Sequence, residues 1–187
     1  EWNYTLVKEA EGWKVFLGWE TEARIKDWLA LADVLEKQKN FSGALEKLGE
    51  ALKLDTENQK VKARMDELKQ KIAEYEEGQA YLDNILISNV RVMPAVGKSL
   101  GIFLEIKNKG LRSLKMVELT IEYLNYSGQV VGQKIFKPVN VSQKAQRDED
   151  LPLSPGETRK YGMVANDAPV EWSRKVNVRV TDVGFME

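Results

Sequence analysis

The stretch WLALADVLEKQKNFSGALEKLGEALKL, residues 28–54, decides the fold of the first half of the chain. Its apolar residues recur every three or four positions, which is the period of a helix with one buried face. Asn40 interrupts this pattern, and the same period resumes directly after it. The apolar stripes on the two sides are Trp28, Leu31, Ala32 and Leu35, then Phe41, Ala44, Leu48 and Ala51. We therefore predict two consecutive helices joined by a tight turn.

The spacing of these residues resembles the tetratricopeptide (TPR) repeat, in which W-x2-L-G-x2-Y precedes A-x3-F. The matching positions are Trp28, Leu31, Ala32 for glycine, Leu35 for tyrosine, Ala44, and Leu48 for phenylalanine. A generic helical hairpin is the alternative, because Thr56 stands where the family usually has a proline. Residues 55–58 nevertheless have the composition of a turn followed by a helix N-cap.

The TPR resemblance also implies a candidate protein-binding surface. In TPR arrays, the first helix of each repeat lines a concave face that binds extended peptides. The corresponding outward stripe here, which the helical spacing places on one face, is Lys26, Leu29, Asp33 and Glu36. A peptide groove needs about three stacked repeats, and this chain has one. We therefore expect a connector whose exposed face binds a protein partner of unknown identity.

A third helix is predicted over residues 57–79, where apolar residues recur at alternating steps of four and three. The stripe consists of Val61, Met65, Leu68, Ile72 and Tyr75. Gly78 is expected to end this helix. Two interpretations of the stripe stay open: it packs back on the first two helices, as the helix that caps a TPR does, or it forms the seam of a homodimer through helix 57–79.

Residues 1–20 alternate between apolar and polar on both sides of the turn at Gly12. The apolar positions are Trp2, Tyr4 and Leu6, then Trp13, Val15, Leu17 and Trp19. This pattern predicts a β-hairpin, which needs other strands to pair with because an isolated hairpin is marginally stable in water. Residues 6–16 resemble the closing hairpin of nuclear-transport-factor-like domains, which implies the tail of an upstream domain. We expect the tryptophans to pack in the core rather than to form an aromatic ligand platform.

From residue 82 onward the period-two pattern returns and predicts strands. One set of alternating apolar residues is Leu100, Ile102, Leu104 and Ile106, and similar sets occupy residues 117–123 and 176–180. Turn-forming segments such as 108–110 and 154–156 separate them. About seven strands in this part of the chain, without helical crossovers, predict an antiparallel β-sandwich.

The second half of the chain resembles the small bacterial immunoglobulin-like domains of the FxLYD type. The similarity is carried by residues 104–110, 122–131 and 153–157, with Leu124 and Asn125 where the family tends to have Tyr and Asp. It implies an accessory domain of bacterial cell-envelope proteins and no chemistry. The expected location is periplasmic or extracytoplasmic. The sequence begins at Glu1 rather than at methionine, so a membrane anchor in a missing upstream segment fits the same expectation.

These patterns together predict an α+β multidomain chain with three parts. Residues 1–20 form the hairpin, residues 21–79 the TPR-like helical region, and residues 80–187 the immunoglobulin-like β-sandwich.

The composition narrows the classes of function. Lys plus Arg (28) nearly equals Asp plus Glu (29), so the broad positive field that attracts nucleic acid is missing. The chain has no cysteine and no histidine, which removes thiol nucleophiles, imidazole bases and the usual zinc ligands. No run of about 20 apolar residues is present, so direct insertion into a membrane is not expected. We predict no catalytic residues, no metal site and no cofactor.

The leading hypothesis is therefore a non-catalytic interaction or scaffolding module of a bacterial cell-envelope protein. The alternative is a ligand-binding sandwich that recognises a lipid or glycan, in a cleft between its sheets or at the domain junction. An enzyme that uses lysine, tyrosine and carboxylates is the third option.

Overall fold

The computed structural model describes residues 4–9, 12–95, 97, 99–141 and 150–186. These residues form three α-helices and three antiparallel sheets, which confirms the predicted α+β class. The chain divides into two compact units. The helical unit is Glu1–Ala73, and the sheet unit is Glu74–Glu187.

The helical unit starts with the predicted β-hairpin. Strand β1 (Tyr4–Glu9) pairs antiparallel with β2 (Gly12–Leu17), and Leu6 lies opposite Val15. One face of the hairpin packs on the helices through Val7. The hairpin was expected to need further strands to pair with, but its sheet has only two described strands and is supported instead by this packing on the helices. The predicted first residue of the alternation, Trp2, lies outside the described residues.

Helix α1 (Gly18–Lys37) starts a few residues earlier than predicted. The Glu20 carboxylate accepts a hydrogen bond from the Leu17 backbone amide at 3.0 Å, so a side chain of the first turn satisfies the amide at the helix start. Trp19, which the alternation placed in the strand, is therefore helical.

Asparagine side chains begin the next two helices, α2 (Phe41–Leu54) and α3 (Gln59–Tyr81). The Asn40 side-chain oxygen accepts a hydrogen bond from an amide in the first turn of α2 at 3.1 Å. Asn58 does the same for α3, also at 3.1 Å. The predicted turn over residues 55–58 is present, and its last residue is the N-cap.

The core of the helical unit forms where the three helices meet. Its buried residues are Ile25, Ala32, Ala44, Leu48, Ala51, Leu54, Val61 and Leu68. Ala32 and Ala44 are 2% and 0% exposed, and their small side chains allow the helices to approach closely. Leu31 was predicted on the buried stripe, but its side chain is 42% exposed. Leu29 packs on the core instead, because it is four residues after Ile25 and three before Ala32 on the same helix face.

The apolar stripe of α3 packs within the helical unit. Val61 and Leu68 are buried in its core, and Met65 and Ile72 are packed against that core. The first of the two predicted interpretations accounts for these four side chains. The homodimer through helix 57–79 gains no support from them, because they are already covered within the chain.

The sheet unit contains six described strands in two three-stranded antiparallel sheets. One sheet has the order β3-β4-β7 and the other has the order β6-β5-β8. The strands are β3 (Ile85–Pro94), β4 (Leu100–Asn108), β5 (Leu114–Leu124), β6 (Val130–Asn140), β7 (Thr158–Val164) and β8 (Lys175–Phe185). About seven strands were predicted over this part of the chain. Residues 142–149 of this part lie outside the described residues.

Alternate residues of both sheets are buried in common clusters. Leu104 and Ile106 of β4 share one cluster with Val117 and Leu119 of β5. A second cluster combines Ile102 of β4 with residues of β5. Each sheet therefore buries one face against the other, an arrangement compatible with a β-sandwich.

The sequence predicted that helix α3 ends at Gly78. This prediction is wrong, because the helix continues to Tyr81. The reason for the glycine is close packing. A Cβ atom at position 78 would lie 2.6 Å from the backbone oxygen of Val183 in β8. Gly78 thus lets the last turns of the helix lie directly on the sheet, and the position does not need a C-cap conformation.

A buried asparagine fixes the turn between β4 and β5. Asn108 is 0% exposed, and its side-chain oxygen accepts hydrogen bonds from the Tyr81 hydroxyl at 3.0 Å and the Gly110 amide at 3.1 Å. Its side-chain nitrogen donates to the carbonyl groups of Arg112 at 2.7 Å and Leu153 at 3.2 Å. The side-chain oxygen thus accepts two hydrogen bonds and the side-chain nitrogen donates two, so the buried amide is fully satisfied.

The tryptophans do not all pack in the core. Trp13 and Trp19 are each 68% exposed, which contradicts the prediction for these two residues. Trp28 is half-buried against the helical core, and Trp172 lies edge-on to Tyr123 with ring centres 5.2 Å apart. Trp13 is exposed because the hairpin offers only one face to the helices, and its register places it on the other.

Candidate interaction surfaces

The four residues predicted to bind a protein lie along α1, but most of them are engaged within the helical unit. Lys26 is exposed. Leu29 is half-buried against the helical core. Asp33 and Glu36 both form ion pairs with side chains of α3. The third helix therefore contacts the acidic end of the face that the sequence identified.

Glu36 is the centre of this ion-pair cluster. Its carboxylate binds Arg64 and, at 2.6 Å, the Lys71 amine, and only 15% of its side chain is exposed. Arg64 also reaches Asp33 at 2.8 Å and Glu67 at 3.5 Å. Burial disfavours the charged form of Glu36, but hydrogen bonds from Lys71 and Arg64 outweigh burial and hold its pKa below the ordinary value. The protein-binding role of this face stays a prediction.

A groove of about 500 Å³ lies on the outer face of sheet β3-β4-β7. Its floor is Phe103 of β4, which lies opposite Arg91 of β3 and Gly162 of β7 in the strand register. A Cβ atom on Gly162 would lie 2.8 Å from the Phe103 ring, and one on Gly101 would lie 2.7 Å from it. The two glycines therefore leave the space in which the ring lies against the sheet.

Polar and flexible side chains surround this aromatic floor. Met93 is 42% exposed, and Arg91 is exposed beside it on β3. Glu105 accepts a hydrogen bond from the Asn89 amide at 2.7 Å and lies 3.8 Å from the Lys160 amine. The groove thus combines an apolar surface with charges of both signs.

A β-bulge shapes the β3 side of the groove. The register between β3 and β4 shifts between Ser88 and Arg91, and Asn89 has a positive φ of 53°. Asparagine tolerates this conformation better than most residues. Bulges redirect the side chains that follow them, and Arg91 is the first residue paired again after the shift.

The sequence contains one signal for this groove, in strand β4. Leu100, Ile102, Leu104 and Ile106 were assigned to the buried face, which puts Phe103 on the opposite, solvent-facing side. A large aromatic residue in that register, two positions after Gly101, does not fit a simple half-buried strand. Nothing local indicated that Gly162 and Arg91 would become its neighbours.

The hairpin presents a second apolar surface, on the side away from the helices. Tyr4 and Leu6 are 62% and 54% exposed, and Val15 opposite Leu6 is 59% exposed. Trp13 belongs to the same face, opposite Lys8. Nothing among the described residues covers this surface.

The described residues contain neither a candidate membrane-spanning helix nor a candidate metal site. No helix among them is long and apolar enough to cross a membrane. Within the same residues, no group of three or more acidic side chains is placed to hold a metal ion.

No family model, curated protein or solved structure matches this chain. The TPR-like and immunoglobulin-like assignments therefore stay predictions from the sequence.

Proposed function

We propose that this chain is a non-catalytic protein-interaction module whose binding site is the groove of the sheet unit. In this proposal the helical unit is a TPR-like support, and the sheet unit is an immunoglobulin-like sandwich of a bacterial cell-envelope protein in a periplasmic or extracytoplasmic location. The location rests on the FxLYD resemblance. Protease accessibility of the full-length product in intact cells and after outer-membrane permeabilisation tests it.

The observation that carries the proposal is the aromatic floor made by Phe103 and its two glycines. Glycine in a strand costs about 0.5–1 kcal/mol relative to alanine, and the Phe103 ring is only half-buried on the solvent-facing side of its strand. Both features are explained if the ring is a contact surface that a partner covers. Phe103, Met93 and Arg91 also belong to the residue types enriched in protein interfaces.

The composition of the rim favours a protein over a lipid. The alternative hypothesis placed a lipid or glycan in a cleft between the sheets or at the domain junction, yet inward-facing Ile102, Ile106 and Ile121 are each 0% exposed in packed clusters. The groove lies instead on the outside, where Arg91 and Lys160 face water. Acyl chains would leave these charges without partners.

A glycan is the second candidate. Sugar rings stack on aromatic side chains, and the Asn89–Glu105 pair offers hydrogen-bonding groups beside Phe103. Met93, which is flexible and apolar, suits a protein side chain better than a hydroxylated ring.

Panning a random-peptide library against the intact chain tests the proposal, with a glycan array as a parallel arm. Phe103→Ala removes the floor, and Ile135→Ala is the matched control, because Ile135 is a 61% exposed apolar residue on the other sheet. Peptides that bind the wild type and Ile135→Ala but lose about tenfold or more in affinity with Phe103→Ala support it. Thermal melts show that each variant is folded.

Two outcomes would overturn the proposal. Peptide binding that is unchanged by Phe103→Ala, or no peptide enrichment at all, removes the groove as a protein site. Binding confined to the glycan array, and lost with Phe103→Ala, transfers the groove to the glycan alternative.

A further inference from the structure

We propose that the groove recognises a peptide segment in which an apolar side chain lies next to a carboxylate. The apolar side chain covers Phe103 and Met93, and the carboxylate binds the Arg91 guanidinium. This inference rests on the proposed function and specifies the chemistry of the partner.

The charges of the groove favour an acidic group in the ligand. Glu105 is engaged by Asn89 at 2.7 Å and lies 3.8 Å from Lys160, so its charge is partly balanced within the chain. Arg91 has no hydrogen bond or ion pair from its side chain to any described residue. Two cations and one carboxylate leave the groove with a net positive charge, and the guanidinium is the group that remains available.

Arginine is well suited to hold a carboxylate at such a position. Its planar guanidinium presents parallel N–H donors that match the two oxygens of a carboxylate, and these charge-assisted bonds are among the stronger ones in proteins. A phosphate would also fit the guanidinium, but a peptide carries carboxylates without modification, whereas a phosphate must first be added to it.

The strand register sets how close the two ligand groups must be. Arg91 lies directly opposite Phe103, and such cross-strand neighbours have Cβ atoms about 4.5–5.5 Å apart. Met93 lies on the same side of β3, two residues after Arg91. In an extended peptide, side chains two residues apart point the same way and are about 6.6–6.8 Å apart along the chain. We therefore expect an acidic residue two positions from an apolar one.

A carboxylate could come from an aspartate or glutamate side chain or from the C-terminus of a peptide. The test uses a synthetic random hexapeptide library in two forms, one with a free C-terminal acid and one with a C-terminal amide. Both forms are panned on the intact wild-type chain, on Arg91→Glu and on Arg174→Glu. Arg174 is the matched control, since it is an exposed arginine in the loop before β8.

The wild type and Arg174→Glu are expected to enrich the same peptides, with Asp or Glu two positions from an apolar residue. Arg91→Glu is expected to select Lys or Arg at that position, and to bind the original acidic peptides about tenfold or more weakly. Because the charge reversal creates a new preference, a misfolded variant would not reproduce the expected result. Enrichment restricted to the free-acid form assigns the carboxylate to the C-terminus.

Two results would overturn the inference. One is a wild-type pool without acidic preference, and the other is an acidic preference that survives Arg91→Glu. If the peptides still depend on Phe103 in either case, the proposed function stands and only the carboxylate assignment fails. If no peptide depends on Phe103, the proposed function itself fails.

Discussion

The face of α1 in the helical unit and the groove in the sheet unit both carry charged side chains, but these charges have different partners. Glu36, with 15% of its side chain exposed, is held by two cations of α3. Arg91 in the groove has no ion-pair partner among the described residues. The face of α1 that was predicted from the sequence as a binding site is thus largely engaged within its own unit. The groove, in which Arg91 is available, was not predicted, because its composition depends on contacts between distant segments.

The two units also differ in packing, at Gly49 in α2 of the helical unit and at Gly78 in the part of α3 that belongs to the sheet unit. The largest expected effect concerns these two glycines. Gly78→Ala should lower the free energy of unfolding by about 2 kcal/mol, because the new Cβ atom would meet the Val183 backbone oxygen at 2.6 Å. Gly49→Ala should raise it by about 1 kcal/mol, since nothing lies within 4 Å of its Cβ position and alanine favours the helix. Urea titrations of the intact chain measure both.

Opposite signs for these two substitutions are the decisive point. If Gly78→Ala is stabilising, the glycine does not serve close packing on β8. A glycine at position 78 would then cost the helix about 1 kcal/mol relative to alanine without a compensating contact.

The sequence predicted the local elements well and the contacts between segments poorly. Asn58 could be recognised as an N-cap, because the cap depends on residues within one turn. Leu31 and Leu29 were exchanged between the exposed and buried sides, since Ile25, which packs on the same face as Leu29, was not part of the predicted stripe. Asn108 was predicted to form a turn, but its burial depends on Tyr81, which lies 27 residues earlier.

The groove was missed for the same reason. Phe103 was visible as an aromatic residue on the solvent-facing side, but its surroundings come from three strands. Gly162 reaches it through the pairing of β4 with β7, and Arg91 reaches it across a bulge whose position alternation does not predict. The site forms only when β3 and β7 are both paired with β4, so residue spacing within one segment could not reveal it.

The second prediction tests how firmly the charge on α1 is engaged. Glu36→Gln should lower the free energy of unfolding by about 1 kcal/mol at neutral pH, because Lys71 and Arg64 lose a partly buried partner. The pKa of Glu36 is lowered in the folded chain, so its contribution is present above the unfolded pKa of about 4.3 and is lost as pH falls through the folded value. Urea titrations at neutral pH and near pH 3 should show the difference between wild type and variant shrinking.

Glu46→Gln is the matched control for this prediction, because Glu46 pairs with Lys47 on α2 with 64% of its side chain exposed. It should leave the unfolding transition unchanged within error. A difference between Glu36→Gln and wild type that is constant from neutral pH to pH 3 would contradict the lowered pKa. Equal effects of the two substitutions would remove the distinction between an engaged and an exposed carboxylate.

The smallest expected effect concerns Arg91, and its matched partner is Arg64. Arg91→Gln should change the free energy of unfolding by less than about 0.5 kcal/mol, since the guanidinium holds no other group of the fold. Arg64→Gln should cost about 1 kcal/mol or more, because it leaves Asp33 and Glu36 without their shared cation. Urea titrations of both variants under one buffer condition compare them directly. If Arg91→Gln costs as much as Arg64→Gln, Arg91 is part of the fold's own polar network. Its charge would then not be available to a ligand, and the contrast between the two surfaces would be lost.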